Sequence, residues 1–297
     1  MDKSIEINCC GINSFGIGGV NAHVILGANR KELTKESLLI ADKIPRLINF
    51  CGRTQDAVDY VFDFIEKNPL KITRDFLALL SDPVKFTQNM ISAGFPFRGS
   101  IVVKQKDVNE DGTIEYSYSR ETSRMFGQTK QIWFFFSGMG SQWIGMGKAM
   151  MAIDKFAETI NKCSEVLKQF KVDLLDILLS DDETALHPTV TPFVSITAMQ
   201  IALFEVLKEV DIQPDKIIGH SFGEIACAYA DGCLTLEQAI LCSYTRGQVV
   251  SSNVPNGKMA AVGLSREEAM KRCPQNVYVA CDNAIDSVTI SGLEDDM

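Results

Sequence analysis

A short apolar strand that leads directly into a helix constrains this chain more than any other feature of its sequence. The junction reads Gly219-His-Ser-Phe-Gly223 and lies between the apolar pair Ile217-Ile218 and the helical pattern Glu224–Ala230. Glycines two positions before and after a serine allow the sharp turn of a nucleophile elbow, which exposes the serine at the end of a strand. Ser221 is therefore the predicted nucleophile. The structural alternative is a strand-to-helix turn whose small residues serve close packing.

The helix that begins at this junction adds an electrostatic property to the same place. The first N–H groups of a helix have no acceptor within the helix, and the helix dipole puts partial positive charge there. Negative charge that develops beside Ser221 would be stabilised by these groups. The Phe222 N–H is the predicted oxyanion-hole donor.

Composition narrows the classes of protein to which the chain could belong. The 297 residues are enough for two domains, and 46% hydrophobic with 23% charged residues is typical of a soluble globular protein. The net charge of −9, without a basic cluster, argues against nucleic acid as a partner because phosphate binding needs concentrated Lys and Arg.

Cysteine and histidine usage argues against a metal site. The nine cysteines form no Cys-x-x-Cys pair and the chain has only three histidines, so no zinc site can be assembled and a reducing compartment is predicted. The first residues do not have the pattern of a signal peptide, and no segment approaches the roughly eighteen apolar residues of a membrane span. We therefore expect a cytoplasmic protein with no metal and no membrane partner.

Hydrophobic periodicity predicts the secondary structure in outline. Predicted helices include Gln55–Lys67, Arg74–Ser81, Gln142–Met151, Asp154–Phe170 and Leu236–Ser251. The apolar run Ile132–Phe136 is predicted to be a strand buried on both faces of a parallel sheet. From Met259 to Ser291 the pattern is strand, helix, strand, strand, which is the opening part of a ferredoxin-like unit.

Several motifs together resemble one known family. The hexapeptide Gly219–Glu224 resembles the signature of acyltransferase domains in animal-type fatty acid synthases and modular polyketide synthases. Further motifs in the order and spacing of that domain are Phe136–Trp143, Tyr244–Gln248, Ala280–Ala284 and Ser287–Gly292. The stretch Asn13–Leu26 is similar to the end of a β-ketoacyl synthase. Among these families, an animal-type (type I) fatty acid synthase fits the motifs best.

This resemblance implies an α/β fold with three parts. Residues 1–29 would be the C-terminal remnant of the β-ketoacyl synthase, and residues 30–130 the small α/β linker domain between synthase and acyltransferase. Residues 131–297 would be a truncated malonyl/acetyl acyltransferase domain. Within that domain, residues 131–256 would form an α/β-hydrolase-like large subdomain and residues 257–297 the start of an incomplete ferredoxin-like small subdomain.

The resemblance also bears on four residues besides Ser221, and it implies a role in acyl transfer for three of them. Met139 would supply the second oxyanion-hole N–H through its backbone. Arg246 would bind the free carboxylate of a malonyl or methylmalonyl group, with a solvated surface arginine as the alternative. Phe193 would line the acyl pocket, although an ordinary core phenylalanine fits its position equally well. His23 matches a catalytic histidine of the ketoacyl synthase, but the motif of its cysteine partner is missing, so we predict no catalytic role for it.

A serine nucleophile needs a base, and the chain has few candidates. His220 is adjacent, but successive side chains diverge at an elbow, so it is predicted to pack behind the turn. His187 lies in a loop where a surface or structural role is the default, and His23 belongs to another module. In the family the base is a histidine that follows the ferredoxin-like subdomain, which would lie beyond Met297. We therefore expect residues 1–297 alone to lack transfer activity.

The function that the resemblance implies is acyl transfer from malonyl-CoA or acetyl-CoA to the phosphopantetheine thiol of an acyl carrier protein, through a seryl ester. The chain would act within a multidomain, homodimeric fatty acid synthase in fatty acid biosynthesis, beside the other domains of that synthase. No tightly bound cofactor is implied. A serine hydrolase or thioesterase and a non-catalytic truncated fragment are the alternatives. The choice among acetyl, malonyl and methylmalonyl groups, and the final lipid, stay open.

Overall fold

The computed structural model describes residues 9–16, 18–19, 21–27, 44–81, 94–109, 112, 114–125, 130–186, 190–253 and 256–297. The chain divides into two compact units, Met1–Gln128 and Thr129–Met297. The predicted base candidate His187 lies outside the described residues.

The first element that the structure describes is a β-hairpin. Strands β1 (Cys9–Phe15) and β2 (Asn21–Gly27) pair antiparallel, with Asn13 opposite His23. The Asn13 Oδ1 and His23 Nδ1 atoms are hydrogen-bonded across the pair. The absence of a catalytic role for His23 stays a prediction.

The other main elements among the described residues of the first unit are a three-stranded antiparallel sheet and two helices. The strand order is β3-β4-β5. The elements are β3 (Arg46–Gly52), α1 (Gln55–Lys67), α2 (Arg74–Ser81), β4 (Phe97–Val108) and β5 (Ile114–Arg124).

Helix α1 shows why these residues form this module. Thr54 caps the helix, because its hydroxyl oxygen accepts a hydrogen bond from the Ala57 N–H at 3.2 Å. The apolar stripe of the helix is buried against the sheet, and the Phe62 ring meets the Phe50 ring edge-on at 5.0 Å. Strands β3–β5 and helices α1 and α2 form a small α/β module, and the predicted bounds of the linker domain stay a prediction.

The second unit combines a parallel strand pair with a helical core. Strands β6 (Trp133–Phe136) and β7 (Lys216–Gly219) are parallel, with Phe136 opposite Gly219. The helices are α3 (Asp154–Lys168), α4 (Leu174–Leu179), α5 (Val190–Glu209), α6 (Glu224–Ala230) and α7 (Leu236–Asn253). Their shared core contains the buried residues Phe156, Ile160, Leu167, Val194, Ile201 and Ile240.

Strand β6 departs from the prediction of burial on both faces. Phe136 is 7% exposed, and the Phe134 ring meets Phe204 of α5 edge-on at 6.1 Å. Trp133 and Phe135, on the opposite face, are 51% and 65% exposed. No layer of the described residues covers that face, so the prediction is wrong for this strand. An unbroken apolar run has no periodicity that could indicate a single buried face.

The predicted helix at Gln142–Met151 is also wrong. The chain there forms turns that end in a short 3₁₀ helix, Ala149–Ala152. Gly145 has a φ of 71°, a left-handed conformation that a right-handed helix does not allow. A Cβ atom at Gly147 would lie 3.1 Å from the Leu178 Cβ, so the segment is fitted tightly against α4.

Helix α5 is the longest helix among the described residues and the one that is long and apolar enough to cross a membrane by composition. Its apolar window is 67% buried inside the structure, which is typical of the core helix of a globular unit. The helix contacts both α3 and α7 and lies at the centre of the second unit.

The last part of the second unit is a small three-stranded sheet. Its elements are β8 (Gly257–Val262), α8 (Arg266–Arg272), β9 (Tyr278–Ala284) and β10 (Ser287–Leu293). The sheet order is β8-β10-β9, with β10 antiparallel to both neighbours. The predicted α/β fold with the beginning of a ferredoxin-like subdomain is confirmed.

Candidate active site at the Ser221 elbow

Ser221 occupies the turn between β7 and α6. The strand ends at Gly219, and one 3₁₀ turn, Ser221–Gly223, leads into α6. Ser221 has a φ of 53°, a left-handed conformation that non-glycine residues rarely adopt and that is found at functional sites. Its residue surface is exposed, so the structure has the strained strand–turn–helix that the elbow motif predicts.

The elbow requires glycine at positions 219 and 223 because neighbouring backbone atoms leave no room for a side chain. A Cβ atom at Gly219 would lie 2.6 Å from the Glu224 Cα, and a Cβ atom at Gly223 would lie 2.1 Å from the Phe136 carbonyl oxygen. Because these neighbours are backbone atoms, no side-chain movement could relieve the overlap. The glycines therefore allow α6 to start directly against the ends of β6 and β7.

We expect the substitution Gly223→Ala to destabilise the second unit by at least about 3 kcal/mol, because overpacking against fixed backbone exceeds the usual cost of core overpacking. For a unit of this size that loss corresponds to roughly 6–12 °C in melting temperature. Thermal unfolding of the intact protein measures it. Gly263→Ala is the matched control, since a Cβ atom there would meet nothing closer than 4.0 Å. Equal melting temperatures for the two variants would contradict the steric argument.

The loop after β6 lies directly against the elbow. A Cβ atom at Gly138 would be 3.0 Å from both the His220 carbonyl oxygen and the Ser221 Cβ. Glycine is therefore the residue that allows this approach. The next residue, Met139, is 42% exposed, and Gly140 turns the loop away with a φ of 98°. Met139, the predicted backbone donor, is the residue after Gly138, which lies against Ser221.

In the 3₁₀ turn Ser221–Gly223, the Phe222 N–H comes before the N–H groups that donate hydrogen bonds within the turn. The first hydrogen bond of the turn runs from the Gly223 N–H to the His220 carbonyl at 2.9 Å, and the Glu224 N–H donates to the carbonyls of Ser221 and Phe222. The Phe222 N–H precedes these donors and adjoins Ser221. Its role as an oxyanion-hole donor stays a prediction.

Two further predicted residues meet at the Phe222 ring. The Arg246 guanidinium carbon lies 5.6 Å from the ring centroid, and the Phe193 ring packs edge-on at 4.7 Å. Phe193 is 8% exposed and belongs to the hydrophobic core. Close helix packing brings Arg246 here, since a Cβ atom at its neighbour Gly247 would lie 3.0 Å from the Val190 Cα of α5. The tertiary structure thus brings Arg246 and Phe193 to the residue beside Ser221.

His220 is exposed rather than packed behind the turn as predicted, and its hydrogen-bond partner is Asn283. Its Nε2 atom lies 2.9 Å from the Asn283 Oδ1, and the Asn283 amide nitrogen donates to the Thr289 hydroxyl at 3.0 Å. The His220 ring stacks beside Phe135 at 6.5 Å. Within the described part of the second unit, no histidine is hydrogen-bonded to Ser221. The elbow is instead connected to strands β9 and β10 of the small sheet.

Comparison with known families identifies this arrangement. The family profile described as "Acyl transferase domain" matches residues 133–297, more than half of the chain. The chain belongs to the acyl transferase domain family. A second profile, described as "Ketoacyl-synthetase C-terminal extension", matches residues 2–102. The acyl transferase domain thus follows a segment that is found at the end of ketoacyl synthases.

Relatives of the acyl transferase domain agree with this assignment. A highly reducing polyketide synthase of Aspergillus fumigatus is 31% identical over 95% of this chain, which covers 11% of that protein. The acyl transferase domain of ZmaA has the same fold, with a TM-score of 0.68, 22% identity and coverage of 84% of this chain and 60% of its own. A malonyl-CoA–acyl carrier protein transacylase from Coxiella burnetii is 28% identical with a TM-score of 0.51, over 56% of this chain and 54% of its own.

The chain spans about a tenth of the length of the curated relatives it matches. Those relatives are fungal polyketide synthases, one of them a hybrid with a nonribosomal peptide synthetase. The comparisons therefore support an acyl transferase domain of a multidomain synthase. This is a broader class than the animal-type fatty acid synthase that the motifs resemble.

The described residues offer no metal site, and the buried cysteine of the helical core is a poor nucleophile. No group of three or more His, Cys, Asp or Glu side chains among the described residues could hold a metal ion. Cys163 of α3 is buried in the helical core, and burial raises the pKa of its thiol to about 12. A thiol with that pKa stays protonated at neutral pH and is a poor nucleophile.

Two polar side chains at the acyl transferase site were missed by the sequence analysis. Asn283 is 63 residues from its partner His220, and no local pattern connects them. Gln200 is a polar residue within the apolar pattern of α5, and its amide nitrogen donates to the Ser137 carbonyl at 2.7 Å. An amide at that position of a core helix is the one signal that could have drawn attention to it.

Proposed function

We propose that this chain supplies the nucleophile and the oxyanion-hole donors of a domain that transfers a malonyl group, and also an acetyl group, from coenzyme A to the phosphopantetheine thiol of an acyl carrier protein. The observation that carries the proposal is the strained, exposed Ser221 with Gly138 packed against it and Arg246 over the neighbouring Phe222 ring. The similarity to malonyl-CoA–acyl carrier protein transacylases at 28% identity supports the same chemistry.

In the first half-reaction the Ser221 Oγ attacks the thioester carbonyl carbon and gives its proton to a general base. The carbonyl oxygen becomes an oxyanion, which accepts hydrogen bonds from the N–H groups of Phe222 and Met139. The tetrahedral intermediate then expels the coenzyme A thiolate, which takes up the proton. The result is an acyl ester on Ser221.

In the second half-reaction the phosphopantetheine thiol of the carrier protein gives its proton to the general base and attacks the ester carbonyl carbon. The same two N–H groups stabilise the second oxyanion, and the Ser221 Oγ leaves with a proton from the base. The acyl group is then a thioester on the carrier protein, and the serine is regenerated.

The general base is proposed to be a histidine that follows the ferredoxin-like subdomain, beyond Met297, as in the family that the motifs resemble. The engagement of His220 with Asn283 supports this proposal, because its Nε2 already has a partner. General-base assistance is commonly worth about 100- to 10,000-fold in rate.

Arg246 and Phe193 are proposed to recognise the acyl group. The planar guanidinium of Arg246 would form paired hydrogen bonds to the free carboxylate of a malonyl extender. Phe193 would border the acyl pocket through its edge-on contact with Phe222.

The finer proposal is a role in an animal-type fatty acid synthase, in fatty acid biosynthesis. It rests on the motifs from Phe136 to Gly292, whereas the curated relatives favour a polyketide synthase. A fatty acid synthase domain that loads both starter and extender units should transfer acetyl and malonyl groups at comparable rates. Transfer of malonyl groups alone would favour the polyketide class.

The proposed partners are the acyl-CoA substrate, the carrier protein and the other domains of a homodimeric synthase. No nucleic acid or membrane partner is proposed, and the proposed location is the cytoplasm. No metal or redox cofactor enters the proposed mechanism; coenzyme A and phosphopantetheine take part only as carriers of the acyl group.

The test is a transfer assay with the intact protein, meaning the full-length protein that includes the proposed base beyond Met297, together with labelled malonyl-CoA and a carrier protein with its phosphopantetheine attached. We expect label to accumulate on the carrier protein much faster than free malonate is released. Release of malonate without labelled carrier protein would show a serine hydrolase or thioesterase instead. Absence of both products would show a non-catalytic protein.

A further inference from the structure

The loop that follows β6 is held by side-chain hydrogen bonds to three consecutive peptide groups. The Gln200 amide nitrogen donates to the Ser137 carbonyl at 2.7 Å, and the Ser141 hydroxyl donates to the Gly138 carbonyl at 3.0 Å. The Gly140 N–H donates to the Gln142 side-chain oxygen at 2.9 Å. We define Ser141, Gln142 and Gln200 as the loop clamp.

Because a peptide group is planar, a hydrogen bond that fixes its C=O also fixes the direction of its N–H, and the reverse holds as well. In a trans peptide the C=O and the following N–H are in one plane and point in opposite directions. The Ser137 carbonyl shares its plane with the Gly138 N–H, and the Gly138 carbonyl shares its plane with the Met139 N–H. The Ser141 hydroxyl therefore sets the direction of the Met139 N–H by holding the carbonyl on the other side of the same peptide.

Gly140 and Gly138 show why such restraint is needed. Gly138 and Gly140, on either side of Met139, have no side chain to limit rotation of their peptides, and Gly140 has a φ of 98°. Without restraint, the Gly138–Met139 peptide could rotate and turn its carbonyl oxygen toward the elbow. A carbonyl oxygen there would repel an oxyanion, whereas the N–H would stabilise it.

Gln200 of the loop clamp places an unsatisfied polar atom in the core. It lies on α5 beside fully buried residues, and its side-chain oxygen is buried without a hydrogen-bond partner. A buried, unsatisfied carbonyl oxygen is destabilising. An apolar residue would suit the core better, so the bond from Gln200 to the loop is the physical reason for an amide at this position.

We infer that Ser141 and Gln200 are positioning residues that orient the Met139 N–H as an oxyanion-hole donor by fixing two successive peptide planes of the loop. This inference rests on the proposed acyl transfer through Ser221. Neither side chain contacts the reacting atoms, so the effect passes through the loop backbone.

The test compares Ser141→Ala with Ser141→Thr in the intact protein. We expect Ser141→Ala to lower kcat for malonyl transfer about 100-fold with KM nearly unchanged, since an oxyanion-hole donor acts in the transition state and its loss is worth roughly 100- to 1,000-fold. Ser141→Thr keeps the hydroxyl and should stay within about threefold of the parent. Gln200→Leu should lower kcat in the same way without lowering the melting temperature.

An inhibitor gives a second readout that stability alone would not change. A trifluoromethyl ketone analogue of the acyl thioester forms an oxyanionic adduct with a serine, so its affinity should fall by the same factor as kcat in Ser141→Ala. Thr159→Val is the matched control. It removes a hydroxyl bond to a backbone carbonyl within α3, from Thr159 to Lys155 at 2.8 Å, and should leave kcat unchanged.

Parent-like kcat and inhibitor affinity in both Ser141→Ala and Gln200→Leu would overturn the inference. Equal losses in Ser141→Ala and Ser141→Thr would overturn it as well, because the hydroxyl would then be irrelevant. An inactive parent protein, by contrast, would refute the proposed acyl transfer itself. The two failures are therefore distinguishable.

Discussion

Replacing Ser221 with alanine should abolish the covalent acyl-enzyme. The alanine variant keeps the elbow and both backbone donors but has no oxygen that can form the ester. Loss of a serine nucleophile lowers turnover by roughly a million-fold. Intact-mass analysis after incubation with malonyl-CoA should show an acyl adduct on the parent protein and none on Ser221→Ala.

A matched serine variant makes this experiment specific. Ser251 is exposed and lies near the end of α7, so Ser251→Ala removes a hydroxyl from the same unit without affecting the elbow. We expect the Ser251 variant to form the adduct at the parental rate. An adduct that persists in Ser221→Ala would place the nucleophile elsewhere and refute the elbow assignment.

Replacing Arg246 with alanine should change which acyl group is accepted. A hydrogen bond to a charged group contributes about 1.5–3 kcal/mol, which corresponds to roughly a 10- to 150-fold loss of kcat/KM for malonyl transfer. Acetyl groups carry no carboxylate and should be transferred within about threefold of the parental rate. Transfer rates for both acyl-CoA substrates, measured side by side on the same variant, test the expectation.

Two further arginine variants separate recognition from structure. Arg246→Lys keeps the charge but lacks the planar pair of donors, so its malonyl transfer should lie between those of the parent and the alanine variant. Arg272 is an exposed arginine on α8 that pairs with Glu268, and Arg272→Ala should change neither substrate. Equal losses of acetyl and malonyl transfer in Arg246→Ala would show that Arg246 acts through its contact with Phe222.

The elbow was predictable because its requirements are local. A serine with a φ of 53° between two crowded glycines follows from five consecutive residues, and those residues carry the signal in the sequence. The helix at Gln55–Lys67 was predictable for the same reason, since its cap and its apolar stripe are a few residues apart.

Predictions of secondary structure and of burial failed where residues distant in sequence pack against the segment concerned. Gln142–Met151 has enough apolar residues for a helix, but Gly145 takes a left-handed conformation and Gly147 packs against Leu178. Strand β6 is apolar throughout, and only the position of α5 shows which face is covered. Neighbours distant in sequence overrode local preference at both places.

The sequence by itself determined the elbow, the parallel strand that ends in it and the strand–helix–strand–strand pattern of the small sheet, because glycine spacing and hydrophobic periodicity act over a few residues. The tertiary structure decided which distant groups meet there. Arg246 comes to the Phe222 ring through the close packing of α7 on α5, and His220 is bound by Asn283. These contacts join residues that are far apart in the chain, and such contacts depend on side-chain packing that no local pattern encodes.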